Sequence, residues 1–567
     1  MKKKSIIAIA ALLTFGQVAW ADGTPTKHFS GTINSGQQNE QNGSEGKPYH
    51  ISSIEDLNHL AEDVNSGTDY IDVYFKLTDN LDYNVDEDND GTPDYTFTPI
   101  GTGEELGSED KPFKGFFDGD GKTISNIAYT DNKGVGVGLF GYIYGGEIKN
   151  VTLTNCSFTG YCHVGGIVGN ATAASTIENC HVESDVSVIA KSETKYDESE
   201  QLYYDFANAG GIVGTCYGGN VIVRGCTSAA SVSGDEVLGG IAGWVYEGSL
   251  VDCTSSATVS GNSAVGGIVG RIEGSEDEST STIKNASTTN CFYTGVSSNV
   301  SGSSDSRIIV GEKGNFSRIN LTLFNDDNDA INNATRLSYY NGIEDVDVTL
   351  SGRTLSKSQW NTLCLPFSMN ATQIAAGSLN GATIKELNAE NSNLATNGTL
   401  TLTFSDVSSI TAGKPYIVKW GSGDDISDPV FEGVTIDETA PAAVTFTNNA
   451  NDNGDCKFVG QYSPFSITDG NKNEIIMLGS GSKLGYSRNE RTLKCFRAHF
   501  YVPANGGGAL ARAFVMDFGD GETTEIIGAT ADQRSASATY TLDGRRINDL
   551  PTQKGMYIQN GRKVIIK

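Results

Sequence analysis

Five short glycine-bounded units recur along the middle of this chain: Gly138-Leu139-Phe140-Gly141, Gly166-Ile167-Val168-Gly169, Gly211-Ile212-Val213-Gly214, Gly240-Ile241-Ala242-Gly243 and Gly267-Ile268-Val269-Gly270. Four carry a second glycine just before, at Gly165, Gly210, Gly239 and Gly266. Their first glycines lie 28, 45, 29 and 27 residues apart, so the period is near 28 and one interval holds an insertion of about 17. The polar stretch 191–200, with Tyr203 and Tyr204 just after it, is where the insertion falls, and it is predicted to leave the stack as a loop. Each unit has short β-branched runs and no helical periodicity, so it cannot bury its apolar face alone and must stack on its neighbours. Such coils predict a right-handed parallel β-helix in which one position recurs in every rung. Ile167, Ile212, Ile241 and Ile268 then form an interior ladder, each contributing roughly 1.5–3 kcal/mol by burial. The glycines are expected at corners with positive φ and where coils approach closely.

A second marker follows. Asn179-Cys180, Gly225-Cys226 and Asp252-Cys253 place the cysteine 14, 15 and 13 residues past the unit's first glycine, and Asn150-Val151 takes that place in the first unit. Valine standing in for cysteine says that the position wants a small apolar side chain, which a free thiol supplies. The Asn/Asp beside it reads as turn chemistry. Buried thiols are therefore expected over disulfides for this set, and Cys156 with Cys162, six apart in one coil, is the pair best placed to bond.

Lys2, Lys3 and Lys4, the apolar run 6–15 and Ala19-Trp20-Ala21 read as a secretory signal peptide over residues 1–21. That run is shorter than the roughly 20 residues a spanning helix needs. An exported chain at the outer surface or in the medium, without membrane insertion, is expected. Lys and Arg number 40 against 69 Asp and Glu, a net charge of −29, which repels nucleic acid and anionic membranes. No nucleic-acid partner is expected.

At about 150 residues per domain, three or four domains are predicted. A polar linker over 22–46, expected to lack structure, leads to Ser52 and Glu55, spaced as in a capping box, and then Ile54, Leu57, Leu60, Ala61 and Val64 at helical spacing. One helix of about three turns is predicted here, capping the open end of a stack that fills 47–310. Over 345–525 the repeat gives way to longer strands at 360–367, 413–420 and 496–502 between Gly/Asn/Asp turns, hence a β-sandwich. A short C-terminal β segment occupies 526–567. The predicted class is all-β.

The Gly-Gly-Ile-Val-Gly units, the Asn-Cys markers and the lead-in from Lys111-Pro112-Phe113 to Thr123-Ile124 resemble proteins with the GLUG motif. That repeat belongs to Bacteroidetes surface proteins and also occurs beside the catalytic part of some bacterial IgA-cleaving metallopeptidases. The resemblance spans about residues 47–300 and implies a surface repeat, with no activity attached. Runs within 345–525 are similar to a module near the C-termini of large Bacteroidetes surface proteins. Tyr540-Thr541-Leu542-Asp543-Gly544-Arg545-Arg546 and the run from Lys554-Gly555-Met556-Tyr557 to Lys567 resemble C-terminal sorting signals of type IX secretion, which implies an outer-surface address.

Asp86, Asp88 and Asp90 at alternate positions, Gly91 for the turn, Thr92 and Asp94 match the first part of a calcium loop. A hard cation takes about six to eight oxygens gathered by one tight turn. The twelfth position is Phe97, where an EF-hand has glutamate, so the alternatives are a dockerin-like or thrombospondin-like calcium turn and a solvated acidic loop. The six histidines show no metal-ligand spacing, and the His-Glu-x-x-His of the peptidases that share the repeat is absent. No nucleophile elbow, phosphate loop or Cys-x-x-Cys occurs. No catalytic residue is predicted, and no cofactor besides calcium. The expected function is an exported binding or adhesion protein presenting loops such as 191–205, with Tyr203 and Tyr204, to a glycan or to a host or bacterial surface protein. One alternative is a polysaccharide lyase or hydrolase on the β-helix, which requires Glu147, Glu178, Arg224, Glu247, Asp252 and Arg271 to cluster. Another is a structural surface component without a dedicated ligand.

Overall fold

The computed structural model describes residues 41–519 apart from 104–109, 192–194, 198–201, 205–206, 219, 278–281, 300–309, 316, 328–331 and 505–510, and beyond 519 only five short strands. The chain divides into two compact units, Met1–Asn320 and Leu321–Lys567, a cut that falls between the stretches 47–310 and 345–525. The predicted signal peptide and residues 22–40 lie outside the described residues.

A full coil of the first unit passes through four or five short strands, which pair in parallel with their equivalents in the neighbouring coils. In one coil these are Phe140–Tyr144, Glu147–Lys149, Thr152–Thr154 and Ser157–Gly165. The face stacked from the first kind, here the glycine face, continues in register through Val168–Thr172, Val213–Tyr217, Ala242–Tyr246, Val269–Glu273 and Val310–Lys313. The second face runs from Tyr49–Ile51 onward, with Phe117, Ile148, Ile177, Val223 and Leu250 in one inward column. This is the parallel β-helix that the 28-residue period predicts. In-register stacking sets each position about 4.8 Å from its copy. Leu139, Ile167, Ile212, Ile241 and Ile268 are accordingly all fully buried, as are Val151, Cys180, Cys226, Cys253 and Cys291. Cys291 extends the thiol column to a fifth coil, displaced in sequence by the antiparallel hairpin Ser275–Asp277 with Thr282–Lys284.

Backbone conformation corrects one expectation. The residue beside each thiol-column position is left-handed, with φ of 57° at Asn150, 51° at Asn179, 63° at Gly225, 52° at Asp252 and 51° at Asn290. Asn, Asp and Gly tolerate that region, which is why they recur. The glycines of the repeated units do not adopt positive φ. They are needed for room instead: a Cβ on Gly239 would sit 1.9 Å from the Ala242 carbonyl oxygen, and one on Gly210 2.1 Å from that of Val213.

All ten cysteines are buried and none is in a disulfide, so the expected bond between Cys156 and Cys162 is absent. Cys162 lies in the extended strand Ser157–Gly165 and Cys156 just before it, so the six residue steps from one to the other span roughly 15–20 Å, far beyond disulfide reach. The Cys156 thiol donates to the Thr154 carbonyl at 3.2 Å, and burial pushes its pKa up to about 11.

The helix Ile54–Asn65 buries Ile54, Leu57, Leu60, Ala61 and Val64, as the spacing predicts. Its cap is one residue later than Ser52: the Ser53 hydroxyl accepts from Asp56 N, and the Asp56 carboxylate accepts from Ser52 N and Oγ, both at 3.0 Å. The helix joins the first two strands of the second face, Tyr49–Ile51 and Tyr74–Leu77, at that sheet's end. Residues 41–46, expected to lack structure, are built into this end. Gln41 is buried and its side chain accepts from His50 N at 3.0 Å, while Gly43 O accepts from Tyr74 N at 2.8 Å.

The second unit is largely antiparallel. One long sheet contains Asn361–Cys364, Pro415–Lys419, Thr383–Leu387 and Thr399–Asp406 toward one end and Cys456–Gln461, Arg497–Tyr501 and Ile475–Gly479 toward the other. Both ends feed one core that includes Leu402, Phe404, Ile417, Phe458, Ile476 and Phe500, so the sheet folds over on itself as a sandwich. Near the C-terminus Thr539–Thr541, Arg546–Ile547, Gly555–Gln559 and Arg562–Ile566 pair antiparallel.

Candidate binding face

Alternation along a strand sends every second side chain outward. On the glycine face two columns alternate with the interior one, and in the first of them Tyr142 and Thr215 are themselves covered. One holds Tyr142, Asn170, Thr215, Trp244 and Arg271, the other Tyr144, Thr172, Tyr217, Tyr246 and Glu273. Among the described residues, Tyr144 at 50% and Tyr217 at 51% are the aromatic side chains left more than a third exposed. They stand two rungs apart in the same column, with Thr172 between them.

Around Tyr217 the rings form a continuous platform. Tyr217 stacks on Tyr246 with centroids 5.1 Å apart and planes at 16°, and Trp244 meets both edge-on at 6.1 and 6.0 Å. The Arg271 guanidinium lies 5.9 Å over the Trp244 ring and pairs with Glu273 at 3.1 Å, which closes one end with charge. At the other end Lys114 lies 5.6 Å over Tyr144, and Thr172 Oγ1 donates to Tyr142 OH at 3.1 Å. Partial burial, then Tyr246 and Glu247, push the Tyr217 phenol above its ordinary range, so the ring is presented neutral. Beside Thr215, His163 is held at φ 52° with Nδ1 2.7 Å from Thr215 Oγ1, and burial pushes its pKa down to about 4. This histidine is a neutral packing element at neutral pH.

The acidic loop gathers three of its five predicted ligands. Carboxylate oxygens of Asp86, Asp88 and Asp90 come within 4.8 Å of one another. They are also engaged by the loop itself: Asp90 N donates to Asp86 and Asp88, both at 3.1 Å, and Gly91 N to Asp86 at 2.9 Å. Thr92 Oγ1 donates to Asp90, while Asp94 turns away to accept from Glu87 N. Phe97, at the twelfth position, is buried against Tyr83, Tyr129 and Phe158. The insertion at 191–207 contains an antiparallel hairpin, Lys195–Asp197 with Leu202–Tyr204, outside the parallel faces. The side chains of Tyr203 and Tyr204 lie outside the described residues.

Repeat charges are engaged, within a strand for Glu147 and across rungs for the others. Glu178 pairs with Arg224 at 2.9 Å, Glu147 with Lys149 at 2.8 Å and Glu247 with Lys284 at 3.5 Å, and Asp252 accepts from Asn290 at 3.2 Å. The aromatic platform was present in the sequence as Gly-Thr215-Cys-Tyr217 and Gly-Trp244-Val-Tyr246. Reading alternate residues past each unit's second glycine would have found it.

Residues 160–187 match the GLUG motif family. A stretch of 139 residues is 35% identical to halomucin of Haloquadratum walsbyi, covering 24% of this chain and only 1% of that relative's length. Among solved structures, a proposed immunoglobulin A1 protease from Bacteroides ovatus aligns over 50% of this chain and 77% of its own, at 21% identity and a TM-score of 0.33. The GLUG match falls within the stacked repeats and covers one of them. Among the described residues no helix is long and apolar enough to cross a membrane.

Proposed function

We propose that this chain is an exported surface protein that binds a neutral glycan along the glycine face, on the column Tyr144, Thr172, Tyr217 and Tyr246. The observation that carries the reading is the exposed, mutually stacked aromatic platform on an otherwise polar and acidic surface. A pyranose ring presents C–H groups on its faces, and these pack favourably on the electron-rich face of tyrosine, while its hydroxyls remain free for groups such as Thr172. Tyr144 and Tyr217 stand roughly 10 Å apart across two rungs, about the length of two linked sugar rings. Export rests on the signal-like start at residues 1–21 and the sorting-signal-like end, and a surface setting agrees with the GLUG repeat and the local likeness to halomucin.

The test is electrophoresis of the full chain through gels containing neutral plant, bacterial and host polysaccharides. Retardation without loss of polymer is expected, weakened about thirtyfold in Y217A/Y246A, since each stacked ring is worth about 1 kcal/mol. Equal retardation of wild type and variant would move the site elsewhere. Degradation of polymer would replace binding with catalysis, and a blank panel would turn the platform into a protein-binding surface.

A further inference from the structure

The second unit holds a cavity of about 510 Å³ between the hairpin of Ile475–Gly479 with Lys483–Tyr486 and the strand Arg491–Leu493. Its lining reverses the charge of the protein. Lys and Arg make up 40 of 567 residues, yet four of the 14 that line the cavity: Lys483, Arg491, Lys494 and Arg497. Asp and Glu make up 69 of 567 and contribute none of the 14. In a chain of net charge −29, like charges brought together in a concavity cost free energy unless something anionic answers them.

The four cations are not equivalent. Lys494 pairs with Asp326 at 2.6 Å, and Arg497 donates to Asn325 Oδ1 at 3.2 Å. Arg497 is half-buried, and desolvation lowers its pKa, a cost that a bound anion would relieve. Lys483 and Arg491 are exposed and have no ion-pair partner among the described residues. Two anchored cations therefore sit with two uncommitted ones around one hollow. The remaining wall mixes Met477 and Leu484 with the hydroxyls of Thr362 and Thr492. An inorganic anion would fill little of this volume and use none of the apolar wall.

We propose that this cavity is a binding site for a carboxylate-bearing sugar, whose acid group is taken by Lys483 and Arg491 and whose ring lies against Met477 and Leu484. Arg491 supplies the planar fork that matches a carboxylate, and Lys483 the second charge. The site belongs to the second unit and does not depend on the role proposed for the glycine face.

Calorimetric titration of the full chain with an oligoglucuronate, the matched neutral oligoglucoside and inorganic sulfate tests the proposal. The oligoglucuronate should bind, with affinity falling as sodium chloride rises from about 0.05 to 0.5 M, and the neutral oligomer should not. K483S/R491S, which changes two exposed side chains, should weaken binding about thirtyfold, and the charge-reversing K483E should weaken it with Arg491 intact. Unchanged affinity in both variants places the anion elsewhere and overturns the proposal. Sulfate binding as tightly as the oligomer overturns the sugar assignment, and no binding of either overturns the site.

Discussion

The two units solve the same problem, burial of short strands, by opposite means. In the parallel stack each coil repeats its neighbour, so close fit is set by backbone against backbone and the decisive residues are those with no side chain. In the antiparallel unit no position repeats, and fit is set by large side chains: Phe404, Phe458 and Phe500 share one core, with Phe458 and Phe500 stacked at 4.5 Å. A close glycine of the second unit shows the contrast. A Cβ on Gly460 would meet the Cys364 sulfur at 2.4 Å, a side chain, whereas one on Gly239 would meet carbonyl oxygens and an amide of the same and next coil. A stack of copies has little freedom to absorb an added methyl, because moving one rung moves its neighbours.

The sharpest way to break this contrast is a matched pair of glycine-to-alanine substitutions. Gly239→Ala should destabilise the first unit by about 3 kcal/mol or more, since the obstructing atoms are backbone. Gly421→Ala in the second unit, where a Cβ meets nothing within 4 Å, should change stability by less than about 0.5 kcal/mol. Denaturant unfolding of the full chain, with hydrogen exchange assigning the affected segment, measures both. A mild Gly239→Ala would mean that rungs can shift, and the stiff-stack account would fail.

This difference also governs what the sequence discloses. Repetition makes the stack legible: the interior column at Leu139, Ile167, Ile212, Ile241 and Ile268 follows from the period alone, and so does the thiol column as far as Cys253. Cys291 escaped because the inserted hairpin at 275–284 breaks the spacing. The role of the glycines was half legible, since close approach was foreseen but the left-handed corners belong to Asn150, Asn179, Gly225, Asp252 and Asn290. The aromatic platform depends on register between rungs separated by 27 residues or more, whereas Tyr203 and Tyr204 stand out locally in the insertion. The cationic cavity was not legible at all. Lys483, Arg491 and Arg497 converge only through antiparallel pairings of 475–501, which leave no periodic trace.

A smaller effect tests the comparison by pH. His499 in the second unit is 2% exposed, stacks on Phe465 at 4.4 Å and donates through Nδ1 to Gln461 Oε1 at 3.1 Å. Burial pushes its pKa down to about 4 from 6.5. The unfolded chain therefore takes up a proton in this window before the folded chain does. The stabilisation is complete above about pH 6.5 and is lost as pH falls toward 4, by up to about 3 kcal/mol. His163 in the first unit is pushed down to about 4 by burial as well, so it titrates in the same direction over the same window. Acidification should thus loosen both units together in hydrogen exchange, and His499→Phe should flatten the dependence of the second unit alone between about pH 6.5 and 4. A first unit that also becomes insensitive to pH in His499→Phe would show that the two units do not open independently.

The smallest effect concerns the acidic loop of the first unit, for which calcium is the ion we propose. Three carboxylates within 4.8 Å repel one another, and the loop's own N–H groups offset only part of this. Thr92 holds the Asp90 carboxyl below the usual range, so an added dication would find this ligand ionised. At ten times the dissociation constant, bound calcium would add about 1.4 kcal/mol to the first unit and nothing to the second. Calorimetry with calcium and with chelator should then move only the transition assigned to the stack, by a few degrees, and D86N/D88N should abolish the shift. Because Tyr95, directly after the loop, hydrogen-bonds Glu55 of the capping helix, the gain should appear first as slower exchange in Ile54–Asn65. Identical behaviour in calcium and chelator would leave the loop as an acidic turn satisfied by its own backbone, and the stack would owe its stability to the glycine-fitted rungs alone.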